Sequence, residues 1–219
     1  MEYNIYSINE AIYNLIELPD NATILDIGCR NACYLKDILE KFPNKINTAI
    51  GIDITDKHFD EVNYKAPIEL IVMNCADGLT FEDNKFDLII AKDVLECITD
   101  KLKFIKEIHR VLKPNGVIVC ANADFDSITL NGKDKDLITK AIHAYAITKQ
   151  KWMDDLDSWM GRRTYSIFNK TTKTLLVVRS VFSLFLLKDP LVLDKIADHK
   201  NQQLQNQLHC RSNCRHAYM

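Results

Sequence analysis

Residues 23–39, TILDIGCRNACYLKDIL, decide how the chain is read. An apolar run over 23–25 leads into Asp26. The sharp turn Gly28-Cys29-Arg30-Asn31-Ala32 follows, and then Cys33, Leu35, Ile38 and Leu39 recur at helical spacing. This is the pattern of a buried parallel strand that ends in a carboxylate, turns through a glycine and enters a helix. In an open α/β sheet such a corner lines a ligand crevice at the carboxyl ends of the strands.

Working outward, the same unit repeats. Residues 48–52 form a second short apolar strand that ends in Asp53, 27 residues past Asp26. That is near the distance at which an acid on the second strand of a nucleotide-binding unit reaches ribose hydroxyls. Further strands are expected over 68–73, 86–91 and 117–121, with a looser helical stretch over 57–65. A helix over 101–113 carries Leu102, Ile105, Ile108 and Leu112 on its stripe, and Pro114-Asn115-Gly116 stops it. Upstream, residues 3–18 place Ile5, Ile8, Ile12, Leu15 and Ile16 on one face, an amphipathic helix closed by Pro19 that packs on the sheet or covers the crevice. Five strands separated by helices or helical turns predict an α/β fold. It is a Rossmann-like, doubly wound, mostly parallel sheet with helices on both faces.

At 219 residues the chain reads as one domain. Its parts are an N-terminal helix over 1–19, a core over 20–123, a helical cover over 124–169 and an atypical, disordered tail over 198–219. A strand over 174–180 and a helix over 191–197 are expected between cover and tail, and no convincing last strand follows in 198–219. With 28 basic and 30 acidic residues the net charge is −2, so no basic field points to nucleic acid or an acidic membrane. The start, MEYNIYSINEAIYNLIEL, lacks the plan of a signal peptide, which makes the cytoplasm the expected location. Seven cysteines without a C-x-x-C motif read as reduced thiols. The apolar stretch 175–187 is interrupted by Arg179 and is too short to span a bilayer; it reads as core or as an oligomer contact, so a homodimer stays open.

The segments ILDIGCRNACYL, AIGIDI, NCADGLTF, FDLIIAKDVLE and EIHRVLKPNGVIV, in that order, resemble the successive motifs of class I S-adenosylmethionine-dependent methyltransferases. The likeness is to the small-molecule branch that includes the ubiquinone/menaquinone-type enzymes, over roughly residues 20–125. It implies S-adenosylmethionine as cofactor and a small-molecule methyl acceptor as substrate. Carried over residue by residue, it puts Asp26, Gly28, Cys29 and Arg30 on the cofactor loop. Asp53 then lies at the ribose hydroxyls with Ile54 after it, Cys75, Ala76 and Asp77 lie beside the adenine, and Lys92 and Asp93 face the reacting end. Family members usually have glycine where this chain has Arg30 and Ala32, and Cys75 stands on the usual adenine acceptor, with Asp77 two residues on. The Arg30 guanidinium points outward, pairs with the cofactor carboxylate, or blocks the pocket.

The segment 124–169 falls where the family inserts its substrate cover, and its interleaved rings and charges fit a lid over a polar small molecule. Asp93, His143 and Tyr145 are the candidate bases, and Trp152, Arg162 and Arg163 the candidate substrate-binding groups. Plainer readings stand beside these. Asp26 and Asp53 also have a plainer reading as helix caps, Asp93 and Glu96 as a solvated pair on a helical turn, Arg162 and Arg163 as a surface pair, and the cover as an amphipathic helical pair. His109 reads as structural, and the tail's H-C-x3-C-x-H at 209–216 matches zinc spacing poorly, so no metal is expected. The AKDVLE that follows the fourth strand lacks the Asn/Asp-Pro-Pro-aromatic signature of adenine or glutamine-amide methyltransferases. Two other functions remain: a methyltransferase-like binding or regulatory protein that has lost catalysis, and a nicotinamide oxidoreductase, against which the absence of G-x-G-x-x-G counts.

Overall fold

The structure is a computed structural model that describes residue 13 and residues 16–61, 68–128 and 135–171. All of them lie within Met1–Ser180, the first of the two units into which the chain divides. Five strands, β1 (Ala22–Ile27), β2 (Ile46–Asp53), β3 (Ile68–Val72), β4 (Phe86–Lys92) and β5 (Leu112–Ala121), form one sheet in the order β3-β2-β1-β4-β5. Every pairing is parallel. The chain order reverses at β1, so the β1–β2 and β1–β4 seams splay their connections to opposite faces and leave a crevice at the carboxyl edge.

Among the described residues the strands are accompanied by the helices α1 (Cys33–Lys41), α2 (Lys101–Val111), α3 (Lys135–Ile147) and α4 (Met160–Thr171). On one face, Leu35 and Ile38 of α1 bury against Ile24, Ala49, Leu88 and Ile90. On the other, Phe104, Ile105 and Ile108 of α2, with Met160 and Phe168 of α4, bury against Leu25, Ile27, Ile50, Ile52 and Ile89. Each fully buried aliphatic side chain contributes about 2 kcal/mol, which is why both faces of the central strands read as continuous apolar runs. Asp100 starts α2 by accepting from the Lys103 amide at 2.9 Å. Within the described segments, Tyr13 and Ile16 are buried on the α1 side, and the Tyr13 hydroxyl donates to Asp37 at 3.0 Å. Residues 1–12, 14 and 15, which carry most of the expected N-terminal helix, lie outside the described residues.

The five strands expected between residues 23 and 121 are present, with two departures nearby. The helix expected over 101–113 ends at Val111, and Pro114-Asn115-Gly116 lies inside β5 rather than between helix and strand. The register explains how proline is accommodated: it runs from Phe86 opposite Leu112 to Leu88 opposite Val117, so 113–116 bulge out of the ladder, where a missing N–H costs nothing. The stretch 57–65 yields one 3-10 turn, Phe59–Glu61, before the described residues break off. The expected elements over 174–180 and 191–197, the apolar run 175–187 and the tail 198–219 lie outside the described residues.

Candidate functional site

Asp26 is in register with Gly51 of β2 and Ile90 of β4. Side chains alternate along a strand with period two, so Asp53 and Lys92, each two residues further on, share Asp26's face of the sheet. At about 4.8 Å between strands and about 3.3 Å per residue, each lies about 8 Å from Asp26, measured between Cα atoms. The switch point therefore carries a row of acid, acid and base across three neighbouring strands.

Each member is held differently. Asp26 is 1% exposed, and its Oδ2 has no hydrogen-bond partner among the described residues. Burial first, and the Asp53 carboxylate second, push its carboxyl up to about 8, although Lys92 pulls the other way. Asp53 is half-buried and ties the loop to its own strand, with Oδ2 accepting from the Arg30 amide at 3.0 Å and Oδ1 from the Thr55 amide at 3.3 Å. Lys92 places its Nζ 3.1 Å from Asp93 Oδ2 and 5.1 Å from the centre of the Tyr34 ring. Burial draws its pKa down, but Asp93 and Tyr34 outweigh that and hold it above the ordinary lysine value. Tyr34, on α1, was not singled out in the sequence; its place beside Lys92 follows from the α1 face packing on β4.

The loop from β1 to α1 turns at Gly28, φ +74°, where the amides of Gly28 and Cys29 both donate to the Ile52 carbonyl, at 2.8 and 3.0 Å. Arg30 and Ala32, the two residues that stand where glycine is usual, keep the glycine-like backbone at φ 50° and 54°. The loop thus retains its path in spite of the side chains, at about 1–2 kcal/mol for each left-handed residue. Arg30 is exposed, so its guanidinium is not buried in the crevice. The Cys29 side chain is buried against Gly51, where any Cβ would lie 2.7 Å from its Sγ.

After β3, Ala76 N–H donates to Asn74 Oδ1 at 3.1 Å and Asn74 Nδ2 to Asp77 Oδ2 at 3.0 Å, which fixes the loop that holds Cys75. Burial pushes the Cys75 thiol up to about 12, and Asp77 is exposed. Ile54, after Asp53, is 43% exposed at the same edge. Asp93, φ 53°, uses both carboxylate oxygens: Oδ1 accepts from the Ala123 amide at 3.1 Å and Oδ2 from Lys92.

Glu96 is not the solvated partner of Asp93. It is 1% exposed, Oε2 is unpartnered among the described residues, and burial followed by the Asp93 charge pushes it up to about 8. Position 96 lies between Leu95 and Ile98, both buried, and that apolar setting was the available signal.

In the cover, Arg162 and Arg163 are exposed, and each is held by an acid. Arg162 makes a two-pronged bond to Asp124 at 2.5 and 2.6 Å, and Arg163 reaches both oxygens of Asp157 at 3.1 and 3.0 Å. Both guanidinium groups also lie over the Trp159 ring, at 4.8 and 5.3 Å. Gly161 lets α4 come down on β5's end, since a Cβ there would sit 2.9 Å from the Asp124 amide. His143 is exposed on α3, Tyr145 packs edge-on against Phe125 at 5.6 Å between ring centres, and Trp152 is 45% exposed. Cys29, Cys33, Cys75, Cys97 and Cys120 are free thiols. Among the described residues no side-chain cluster is arranged to hold a metal ion, and no helix is long and apolar enough to cross a membrane.

The family model described as a methyltransferase domain matches residues 25–120, the span from β1 to β5. Residues 25–120, a little under half of the chain, are thus similar to a methyltransferase domain. Over 141 residues it is 31% identical to the sterol 4-C-methyltransferase strm-1 of Caenorhabditis elegans, a match covering 62% of this chain and 40% of that one. Over 169 residues it is 25% identical to the demethylmenaquinone methyltransferase of Staphylococcus epidermidis, covering 74% of this chain and 68% of the relative. Other relatives are named as tRNA U34 carboxymethyltransferases. The domain's fold matches, with a TM-score of 0.62 at 16% identity, a putative methyltransferase solved with the Haloferax volcanii Trm112 methyltransferase activator; the match covers 84% of this chain and 75% of that one. The chain thus spans less than half of the nematode relative and about two thirds of the staphylococcal one.

Proposed function

We propose that this chain transfers the methyl group of S-adenosylmethionine to a small-molecule acceptor at the carboxyl edge of the sheet. The observation that carries the reading is the row Asp53–Asp26–Lys92 on one face of three adjacent strands, with an orphaned Asp26 oxygen at its centre. A buried carboxyl oxygen without a donor fits the ammonium of an amino-acid ligand, and the Lys92 ammonium beside it fits the carboxylate. Asp53, whose oxygens each keep a lone pair after accepting one amide, fits the ribose hydroxyls. Ile54 and the Cys75–Asp77 loop fit the adenine, with the Ala76 and Asp77 region supplying polar edges. The names of the relatives, a sterol and a demethylmenaquinone methyltransferase, support a small-molecule acceptor.

When bound, S-adenosylmethionine supplies a methyl group already activated by its sulfonium. The chain's residues then have to hold the acceptor in line and exclude water. Asp93 stands at the reacting end as the first candidate for the acceptor's proton, with His143 and Tyr145 further out on α3. Arg162 and Arg163, already neutralised by Asp124 and Asp157, serve to seat the cover.

Calorimetry with S-adenosylmethionine and S-adenosylhomocysteine tests the site: binding at millimolar affinity or better, weakened at least tenfold in Asp53→Ala, is expected. Heat from neither compound moves the chain to the binding or regulatory reading. Incubation with labelled S-adenosylmethionine and a metabolite extract, followed by mass spectrometry, then identifies the acceptor.

A further inference from the structure

Glu96 stands on the turn Leu95–Cys97 just past β4. On the cover side the turn is bonded to a stretch without regular structure, residues 153–157, that precedes α4. There the Asp157 amide donates to the Glu96 carbonyl at 2.9 Å and the Asp155 amide to the Cys97 carbonyl at 3.0 Å. On the sheet side, Asn122 accepts from the Leu95 amide at 3.3 Å and donates to Thr164 of α4 at 3.0 Å. The turn is thus clamped between the end of β5 and a strap from the cover, and its carboxyl keeps one oxygen without a donor.

The charged and titratable groups around it do not relieve this. Lys92 and Asp93 of β4 pair with each other at 3.1 Å. Lys101 of α2 donates to Asp155 at 3.1 Å and to the Ile98 carbonyl at 2.8 Å. Asp157 of the strap is committed to Arg163. Cys97 on the turn and Cys120 on β5 are thiols that burial pushes up to about 12, and so are neutral. Thr164 of α4 donates to the Met160 carbonyl.

We propose that Glu96 is a protonation latch for the cover: the strap closes over the turn when the Glu96 carboxyl carries a proton and releases it when that carboxyl ionises. A carboxylate with one oxygen buried and unpartnered is costly under the strap, and the neutral acid is less so. With the strap closed, burial first and the Asp93 charge second hold the carboxyl up at about 8 from its ordinary 4.5, so the strap's share of that burial makes closing take up a proton between those values. Closure is fully favoured below the lower value. It weakens about tenfold for each pH unit as pH rises towards the upper one, then levels off. The latch does not depend on what the cover encloses and stands apart from methyl transfer.

The chain's two tryptophans, Trp152 and Trp159, flank the strap, so intrinsic fluorescence of the full chain reports the cover alone. Emission and iodide quenching are titrated from about pH 5 to pH 9. In the wild type, emission should shift red and quenching should rise with pH; in Glu96→Gln both should stay flat. Asp26→Asn, which removes the other raised carboxyl away from the strap, should keep the wild-type transition. Superimposable titrations of wild type and Glu96→Gln, or loss of the transition in Asp26→Asn, overturn the latch. Should Glu96→Gln not fold, hydrogen exchange of the wild-type peptide 153–159, corrected for intrinsic rates, decides: protection lost with rising pH while β4 stays protected supports the latch, and protection that ignores pH overturns it.

Discussion

Replacing Gly28 by alanine tests whether the β1–α1 turn is built as described. The residue sits at φ +74°, and an alanine there costs about 1–2 kcal/mol in backbone strain. Arg30 and Ala32 already carry such strain two and four residues on, so strain by itself is tolerable in this loop. The decisive part is steric. The new Cβ would lie 2.9 Å from Val94 Cγ2, and a β-branched side chain with one favoured rotamer has little room to yield. Overpacking of that kind adds about 1–3 kcal/mol, so Gly28→Ala should lose roughly 2–5 kcal/mol out of a typical 5–15. Urea denaturation of Gly28→Ala, Val94→Ala and the double variant closes a cycle. The pair should be more stable than the sum of the single losses by about 1–3 kcal/mol, because removing the valine methyls removes the clash but not the strain. A Gly28→Ala within about 0.5 kcal/mol of the wild type, or strict additivity, would refute the account.

Asp26→Asn should flatten part of the pH dependence of stability. The folded-state carboxyl is raised from 3.8 to about 8, so the wild type loses up to about 1.4 kcal/mol per pH unit between those values, and the variant should gain on it until about pH 8 in urea melts. Asp53→Ala removes the acceptor of the Arg30 and Thr55 amides and should cost about 1–2 kcal/mol by thermal melting, besides its effect on cofactor binding. Asp124→Ala strips α4 of its partner for the Arg162 side chain and amide; a loss of about 1–2 kcal/mol is expected, with increased exchange confined to 158–166.

Much of this protein was legible in the linear pattern. The corner at 23–39, the acid at 53 and the apolar runs at 68, 86 and 117 predicted a parallel sheet, because buried strands must be apolar on both faces and their short period survives any context. The same reading put a helix-stopping role on Pro114-Asn115-Gly116, and the structure instead uses that tripeptide as a bulge within β5. Propensity marks where a chain departs from regular structure, but not which departure it takes.

The site divides in the same way. That Asp26, Asp53 and Lys92 share a face follows from strand period and strand order, and so was nearly available in advance. The sequence by itself determined the fold class and which residues reach the sheet's carboxyl edge. Only the tertiary structure decided that Glu96 is buried rather than solvated, that Arg162 and Arg163 are spent on Asp124 and Asp157, and that Arg30 and Ala32 keep a glycine's backbone. Those outcomes depend on contacts between segments far apart in the chain, such as the strap at 155–157 bonded to the turn at 95–97. Burial and charge pairing are properties of such contacts, whereas hydrophobic period is a property of neighbours along the chain.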